Sequence, residues 1–231
     1  MIYIKNLTKE FDGITILEHI SFNIEKGKII GLLGKNGVGK TTLLKLLSGL
    51  LQATDGEILV LGKNPWFERD KVLRDIGIII ENPIFYEHLT AYKNIELHLE
   101  YMNVKADIKK LLGLVGLNNI DKKPVSKFSL GMKQRLGIAR AISHSPKLLI
   151  LDEPINGLDP ISIYDIRKLF ENLNDMGTTI IISSHILNEI IEIVDDIIIL
   201  SNKNIEYLGS IIDLKKDYDN NLENYLINKM R

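Results

Sequence analysis

The sequence predicts an α/β fold: a mainly parallel β-sheet covered by helices, a small antiparallel β subdomain beside it, and a helical sub-lobe inserted into it. Three observations carry this. Short apolar runs recur at Ile29–Leu33, Ile76–Ile80, Leu148–Leu151, Thr179–Ile182 and Ile197–Leu200, and runs this short and rich in Ile and Leu mark strands buried on both faces. Helical patterns lie between them, which calls for right-handed strand–helix–strand crossovers. The middle of the chain, about Ile84 to Ser145, lacks any such run and reads as helix.

Taken in order, the first segments differ from the rest. Met1–Lys5, Ile14–Ile24 and Glu57–Leu61 alternate more strictly and are separated by the turn signals Asp12-Gly13, Lys26-Gly27 and Asp55-Gly56, so they are expected to pair antiparallel. Ile29–Leu33 opens the buried sheet, and the helix Thr41–Ser48 follows it. Helices are expected at Ala91–Tyr101, Val104–Leu112 and Met132–Ser143 in the middle, then at Ser162–Met176 and Ile186–Val194 between the later strands. The charged tail should end in a helix at Leu222–Lys229, with no assignable task. The expected organisation is one domain over 1–231. Residues 1–83 and 146–231 form the lobe that carries both sheets, and residues 84–145 form the helical sub-lobe.

Composition narrows the function. The chain has 231 residues, 45% of them hydrophobic, enough to bury one substantial core. A formal net charge of -1 supplies no field that would draw it onto nucleic acid, which is not an expected partner. Cysteine is absent, which excludes disulfides and thiolate metal sites. No targeting segment is expected at Met1–Leu7, which is short and carries Lys5. The apolar stretch Ile190–Leu200 is interrupted by Glu192, Asp195 and Asp196 and falls short of the ~20 residues a membrane span needs. Any membrane role must come through a partner.

The strongest chemical signal is Gly34-Lys35-Asn36-Gly37-Val38-Gly39-Lys40-Thr41-Thr42, a G-x-x-x-x-G-K-[ST] loop between an expected strand and an expected helix. Glycines let successive backbone N–H groups turn toward a phosphate chain. The helix N-terminus adds partial positive charge. Lys40 brings a cation to the β- and γ-phosphates, and the Thr41 hydroxyl can ligate Mg²⁺. The expected ligands are therefore ATP and Mg²⁺, with Gly34, Asn36, Gly37, Val38, Gly39, Lys40, Thr41 and Thr42 as the binding loop.

Two carboxylates end the run Leu148–Leu151. Ligands of open α/β sheets sit beyond the carboxyl ends of the strands, so Asp152 is placed to hold Mg²⁺ and Glu153 to polarise an attacking water. On their own the two acids could equally end a strand and cap the next turn; the phosphate loop tips the reading toward chemistry. His185 follows another strand end, in Ser183-Ser184-His185, and is a candidate to hydrogen-bond the γ-phosphate or the water. A structural histidine is the alternative.

These motifs, in this order, resemble the ABC ATPases, and the resemblance covers nearly the whole chain. Ser129-Leu130-Gly131-Met132-Lys133-Gln134-Arg135 is similar to the family signature that opens a helix, and Asn156-Gly157-Leu158-Asp159-Pro160 to its D-loop. His185 stands at the position of the switch histidine, and Phe11 where the family stacks an aromatic on adenine; an ordinary core or edge phenylalanine is the alternative for Phe11. A phosphate loop alone leaves kinases and GTPases open, and the signature with the D-loop separates this superfamily from them. The resemblance implies a head-to-tail ATPase dimer, of identical subunits or paralogues. In it the signature of one chain, with Ser129 and Gly131, closes on ATP held by the other, and Asp159 of the D-loop is a further nucleotide-binding candidate. It also implies a separate integral membrane permease and a peripheral position on the cytoplasmic face of the plasma membrane. Soluble ABC-type machines for assembly or repair are the rival class; they usually carry coiled-coil insertions or tandem ATPase domains, and this chain shows neither.

Two departures stand out. Leu130 replaces the usual signature Gly, and an L-residue there requires φ < 0; Met132 replaces a Gln. Glu81 stands where the family has a Gln linking Mg²⁺, the attacking water and the permease contact. A hard cation accepts a carboxylate oxygen readily, so Glu81 is both a catalytic and a metal candidate. Glu81 together with Ser-Leu-Gly-Met-Lys-Gln resembles the subgroup that exports bacitracin- and lantibiotic-type peptides. A neutral Gln-to-Glu drift with no bearing on cargo is the plainer alternative.

Overall fold

Two sheets carry the fold, seen in a computed structural model that describes residues 1–118, 120, 122–184, 190–218 and 221–230. The small one is antiparallel, in the order β2-β1-β4, from β1 (Ile2–Phe11), β2 (Ile14–Ile24) and β4 (Asp55–Val60). Asp12 and Gly13 both take positive φ between the Phe11↔Ile14 pair, the two-residue hairpin turn whose twist matches its strands.

The large sheet runs β5-β6-β7-β3-β8-β9. Its strands are β3 (Ile29–Leu33), β5 (Ile76–Ile79), β6 (Leu148–Asp152), β7 (Thr179–Ser184), β8 (Asp196–Ser201) and β9 (Asn204–Ser210). The first five are parallel, and β9 closes the edge antiparallel to β8. Side chains alternate across it. Ile30, Leu32, Leu148, Ile150 and Ile181 share a core with the small sheet and α1 (Lys40–Leu47). Ile29, Leu33, Leu149, Leu151 and Ile182 face the other way, against α5 (Leu130–Ile142) and α6 (Pro160–Asp175). The apolar runs are continuous because both faces are covered.

Between β5 and β6 the chain forms α3 (Ala91–Met102), α4 (Ile108–Leu114) and α5. Ile95, Leu99, Ile108, Leu112 and Leu136 join the same buried cluster as Leu149 and Leu151. No helix among the described residues is long and apolar enough to cross a membrane.

Some boundaries depart from expectation for local reasons. The helix expected at Val104–Leu112 begins at Ile108, where the Asp107 carboxylate accepts from the Lys110 N–H and caps it. The helix expected at Met132 begins at Leu130, because Ser129 caps it through the Met132 N–H at 3.3 Å. β5 stops at Ile79, and Glu81 beyond it adopts φ 60°. Four elements among the described residues were not anticipated: β9, α2 (Arg69–Leu73), a 3-10 turn at Val125–Lys127 and α7 (Ile211–Tyr218). The helix expected at Ile186–Val194 falls partly outside the described residues; of its described part, residue 190 is helical and residues 191–193 form a turn. The tail helix is α8 (Leu222–Met230).

Candidate active site

The site begins where β3 ends. All five β3 residues are buried, so the chain leaves the sheet centre by a fixed exit, and residues 34–39 form the loop into α1. Gly34 has φ 153° and Gly39 φ 112°. A Cβ on Gly34 would lie 2.6 Å from the Leu200 carbonyl oxygen, and one on Gly39 3.0 Å from Leu17 Cδ2. Both positions combine positive φ with close neighbours, which restricts them to glycine. The Val38 N–H donates to the Lys35 carbonyl at 3.3 Å and closes the turn.

Lys40 opens α1 and is only 6% exposed. Its Nζ donates to the Gly34 carbonyl at 2.7 Å and to the Lys35 carbonyl at 3.3 Å, so the ammonium is folded over the loop. Burial lowers its pKa below the ordinary lysine value, while the charges of Glu153 and Asp152 act in the opposite direction. Additional negative charge at this point would favour the charged ammonium further.

Asp152 ends β6 with its side chain buried. A carboxylate taken out of water is costly unless its oxygens are bonded. Here Thr41 Oγ1 donates to Oδ2 at 2.7 Å and Ser183 Oγ to Oδ1 at 2.5 Å. Hydrogen bonds to a charged group contribute about 1.5–3 kcal/mol each, which offsets the desolvation. The sheet register sets this up, since Asp152 pairs with Ser183 on β7. Glu153 follows with φ 49°; its N–H donates to Ser183 Oγ at 3.0 Å, and its carbonyl accepts from Gln134 Nε2 at 3.3 Å.

A cavity of about 310 Å³ unites these groups, lined by Phe11, Ile16, Asn36, Gly37, Gly39, Lys40, Thr41, Thr42, Asp152 and Glu153. Phe11 is 40% exposed at its mouth, with Lys9 Nζ 4.5 Å from the ring centroid. Val38 borders a second groove on the other side of the loop.

The remaining candidates lie apart. Glu81 borders a smaller pocket of about 300 Å³ together with Asn82, Leu130, Gln134, Asp152, Glu153 and Asn156, and its carboxylate pairs with Lys45 Nζ at 2.5 Å. Ser129 is exposed at the start of α5, and neither it nor Gly131 lines the phosphate-loop cavity. Leu130 is the first helical residue and takes negative φ, as an L-residue requires. Asp159 is also outside the cavity. It caps α6 by accepting from Ser162 N–H at 2.9 Å and from Ser162 Oγ at 2.7 Å, and these bonds hold its carboxyl below the usual carboxylate value. His185 lies outside the described residues.

Sequence reading did not single out Ser183, Gln134 or Lys45. A signal for Ser183 was available: a hydroxyl on the strand next to the acid-bearing one can meet that acid. Gln134 and Lys45 gave none, because their partners depend on how the helices pack.

The oxygen donors suit a hard cation. Among the described residues no three His, Cys, Asp or Glu side chains cluster as a metal site. A bound Mg²⁺ would therefore be held by Asp152 and Thr41 and completed by phosphate oxygens and water, the usual habit of an ion that sheds water reluctantly.

Comparison with known proteins agrees with this geometry. The ABC transporter family profile matches residues 17–156. The chain is 48% identical over 233 residues to the lantibiotic transport ATP-binding protein SrtF of Streptococcus pyogenes, covering 100% of this chain and 97% of that one. It is 47% identical over 195 residues to the bacitracin transport ATP-binding protein BcrA of Bacillus licheniformis, covering 83% of this chain but only 64% of BcrA. The fold superposes on the dimeric structure of a bacterial ABC transporter cassette with TM-score 0.84 at 28% identity, covering 91% of this chain and 99% of that one. A phosphate loop with a buried lysine, an acid-ended neighbouring strand and these relatives lead to one conclusion: the chain belongs to the ABC transporter family, as an ATP-binding subunit carrying the ATPase domain.

Proposed function

We propose that this subunit binds MgATP on the Gly34–Thr42 loop, hydrolyses it with Glu153 as general base, and thereby drives a separate membrane permease that expels lantibiotic- or bacitracin-type peptides. The observation that carries the hydrolytic part is the chain Thr41–Asp152–Ser183, bonded at 2.7 and 2.5 Å beside the buried Lys40. These bonds orient the Asp152 carboxylate and the Thr41 hydroxyl toward one another at the mouth of the loop.

Each residue has a distinct task in this reading. The loop N–H groups and Lys40 bind the phosphates, and Phe11 offers a ring face to the base. Asp152 and Thr41 would hold Mg²⁺, which supplies charge neutralisation at the phosphates. Glu153 takes a proton from the attacking water while its backbone is fixed by Ser183 and Gln134. Ser129, exposed, and Gly131, half-buried, both away from their own cavity, close on nucleotide held by a second subunit, identical or paralogous, and a two-fold pair makes two such sites. Asp159 supports the same interface by fixing the start of α6. For His185, which lies outside the described residues, a hydrogen bond to the γ-phosphate or the water is the role the motif suggests.

The face offered to the permease is a groove of about 730 Å³ on the helical segment after β5, bordered by Ile84, Phe85, Tyr86, Leu97, Tyr101 and Arg140. Ile84 is 84% and Tyr101 90% exposed, an unusual display of apolar surface that suits a partner. Docking there places the chain on the cytoplasmic face of the membrane. Similarity to SrtF over the full chain, with Glu81 at the end of β5, supports peptide cargo. Deleting the gene tests this. Sensitivity to lantibiotics or bacitracin should rise and be restored by the wild-type gene; unchanged sensitivity to a panel of such peptides overturns the cargo.

A further inference from the structure

We propose that Lys45 is a positioning residue for MgATP binding, holding the Glu81 carboxylate against α1 so that a third acid is tolerated beside Asp152 and Glu153. This rests on the reading of the site given above. Lys45 lies one turn beyond Thr41 on α1, and residues four apart share a helix face. Its Nζ meets Glu81 Oε1 at 2.5 Å. Glu81 borders the same 300 Å³ pocket as Asp152 and Glu153, and a bound triphosphate would bring more negative charge close by. Like charges this near repel appreciably at the effective dielectric of a protein surface.

The pair does not serve stability. The side chains are 31% and 65% exposed, and ion pairs of this kind contribute little to folding. Glu81 nonetheless sits at φ 60°, a conformation uncommon for a residue with a Cβ. The ammonium thus fixes the direction of a carboxylate at a costly backbone position. Because α1 also carries Lys40 and Thr41, the pair links the end of β5 directly to the helix that grips the phosphates.

Steady-state ATPase kinetics of K45M, K45Q, K45R, E81Q and the double variant K45M/E81Q test this, at low and high salt. K45M and K45Q should raise KM for MgATP about fivefold at low salt, the scale of one exposed charge pair, with kcat little changed. High salt should shrink the effect. K45R should restore the wild-type KM, and K45M should have no effect on KM once Glu81 is already Gln. All variants should melt as the wild type does. An unchanged KM in K45M and K45Q overturns the proposal. So does an equal rise in the E81Q background, which would mean that Lys45 acts without Glu81. The reading of the site itself fails separately: Lys40→Ala removes nucleotide binding whatever Lys45 does.

Discussion

At the scale of single residues, the chemistry depends on burial and on satisfied charge. Asp152 stays in the interior because two hydroxyls bond it, and Glu153 is steered by a left-handed backbone that no motif reveals. Glu153→Gln should leave ATP binding intact and slow hydrolysis at least ~10²-fold, the scale of a lost general base; a variant with wild-type turnover removes Glu153 from the mechanism. A second consequence concerns His98 and His144, whose rings meet edge-on at 5.6 Å. Burial first, then the neighbouring His144 and Arg140, pushes His98 down from 6.5 to about 4, and burial lowers His144 as well. His98 is therefore neutral in the folded chain above about pH 4. Between pH 6.5 and 4 the unfolded chain therefore binds more protons, so stability falls as pH falls through that window. Thermal melting from pH 7 to 4 should show a shallower decline for His98→Leu than for the wild type; identical slopes contradict the burial argument. The phosphate loop and the acids were legible in the sequence because their spacing is fixed by the ligand. Ser183, Gln134 and Lys45 were not, because each acts through a partner 19 to 36 positions away.

At the scale of elements, the buried strands were legible to within a residue or two, since strands covered on both faces need unbroken apolar runs. The edge strand β9 was not: its residues are exposed or half-buried, and an edge with one wet side carries a weak pattern. α4 began later than expected because periodicity continues past a cap, and only Asp107 marks the start. α5 crosses β5 at close range. A Cβ added to Gly77 would lie 2.1 Å from the Ala141 carbonyl oxygen and 2.6 Å from Leu149 Cδ2. Backbone cannot yield as a side-chain tip can, so α5 would have to move, and with it Ser129 at its start. Gly77→Ala should destabilise the fold by about 1–3 kcal/mol, the usual scale of overpacking, read as a lower urea midpoint. An unchanged midpoint would show that α5 is free to shift.

At the scale of the whole molecule, one six-stranded sheet divides two cores, and the phosphate loop emerges at the carboxyl end of β3, the fourth strand counted from the β5 edge. Everything proposed for the dimer and the permease radiates from that point: α1 and the small sheet on one face, α5 and the apolar groove on the other. The family was legible in the sequence through the order of its motifs, whereas the groove was not, because Ile84, Leu97 and Tyr101 meet only after α3 has folded against α5. The central claim is that a triphosphate is held by the loop amides and Lys40. Calorimetric titration of ATP into the purified chain, with and without Mg²⁺, tests it most directly. The account predicts saturable, Mg²⁺-enhanced binding by the wild type and no measurable binding by Lys40→Ala. Equal affinity in the two proteins, or no binding by the wild type at millimolar ATP, would contradict it.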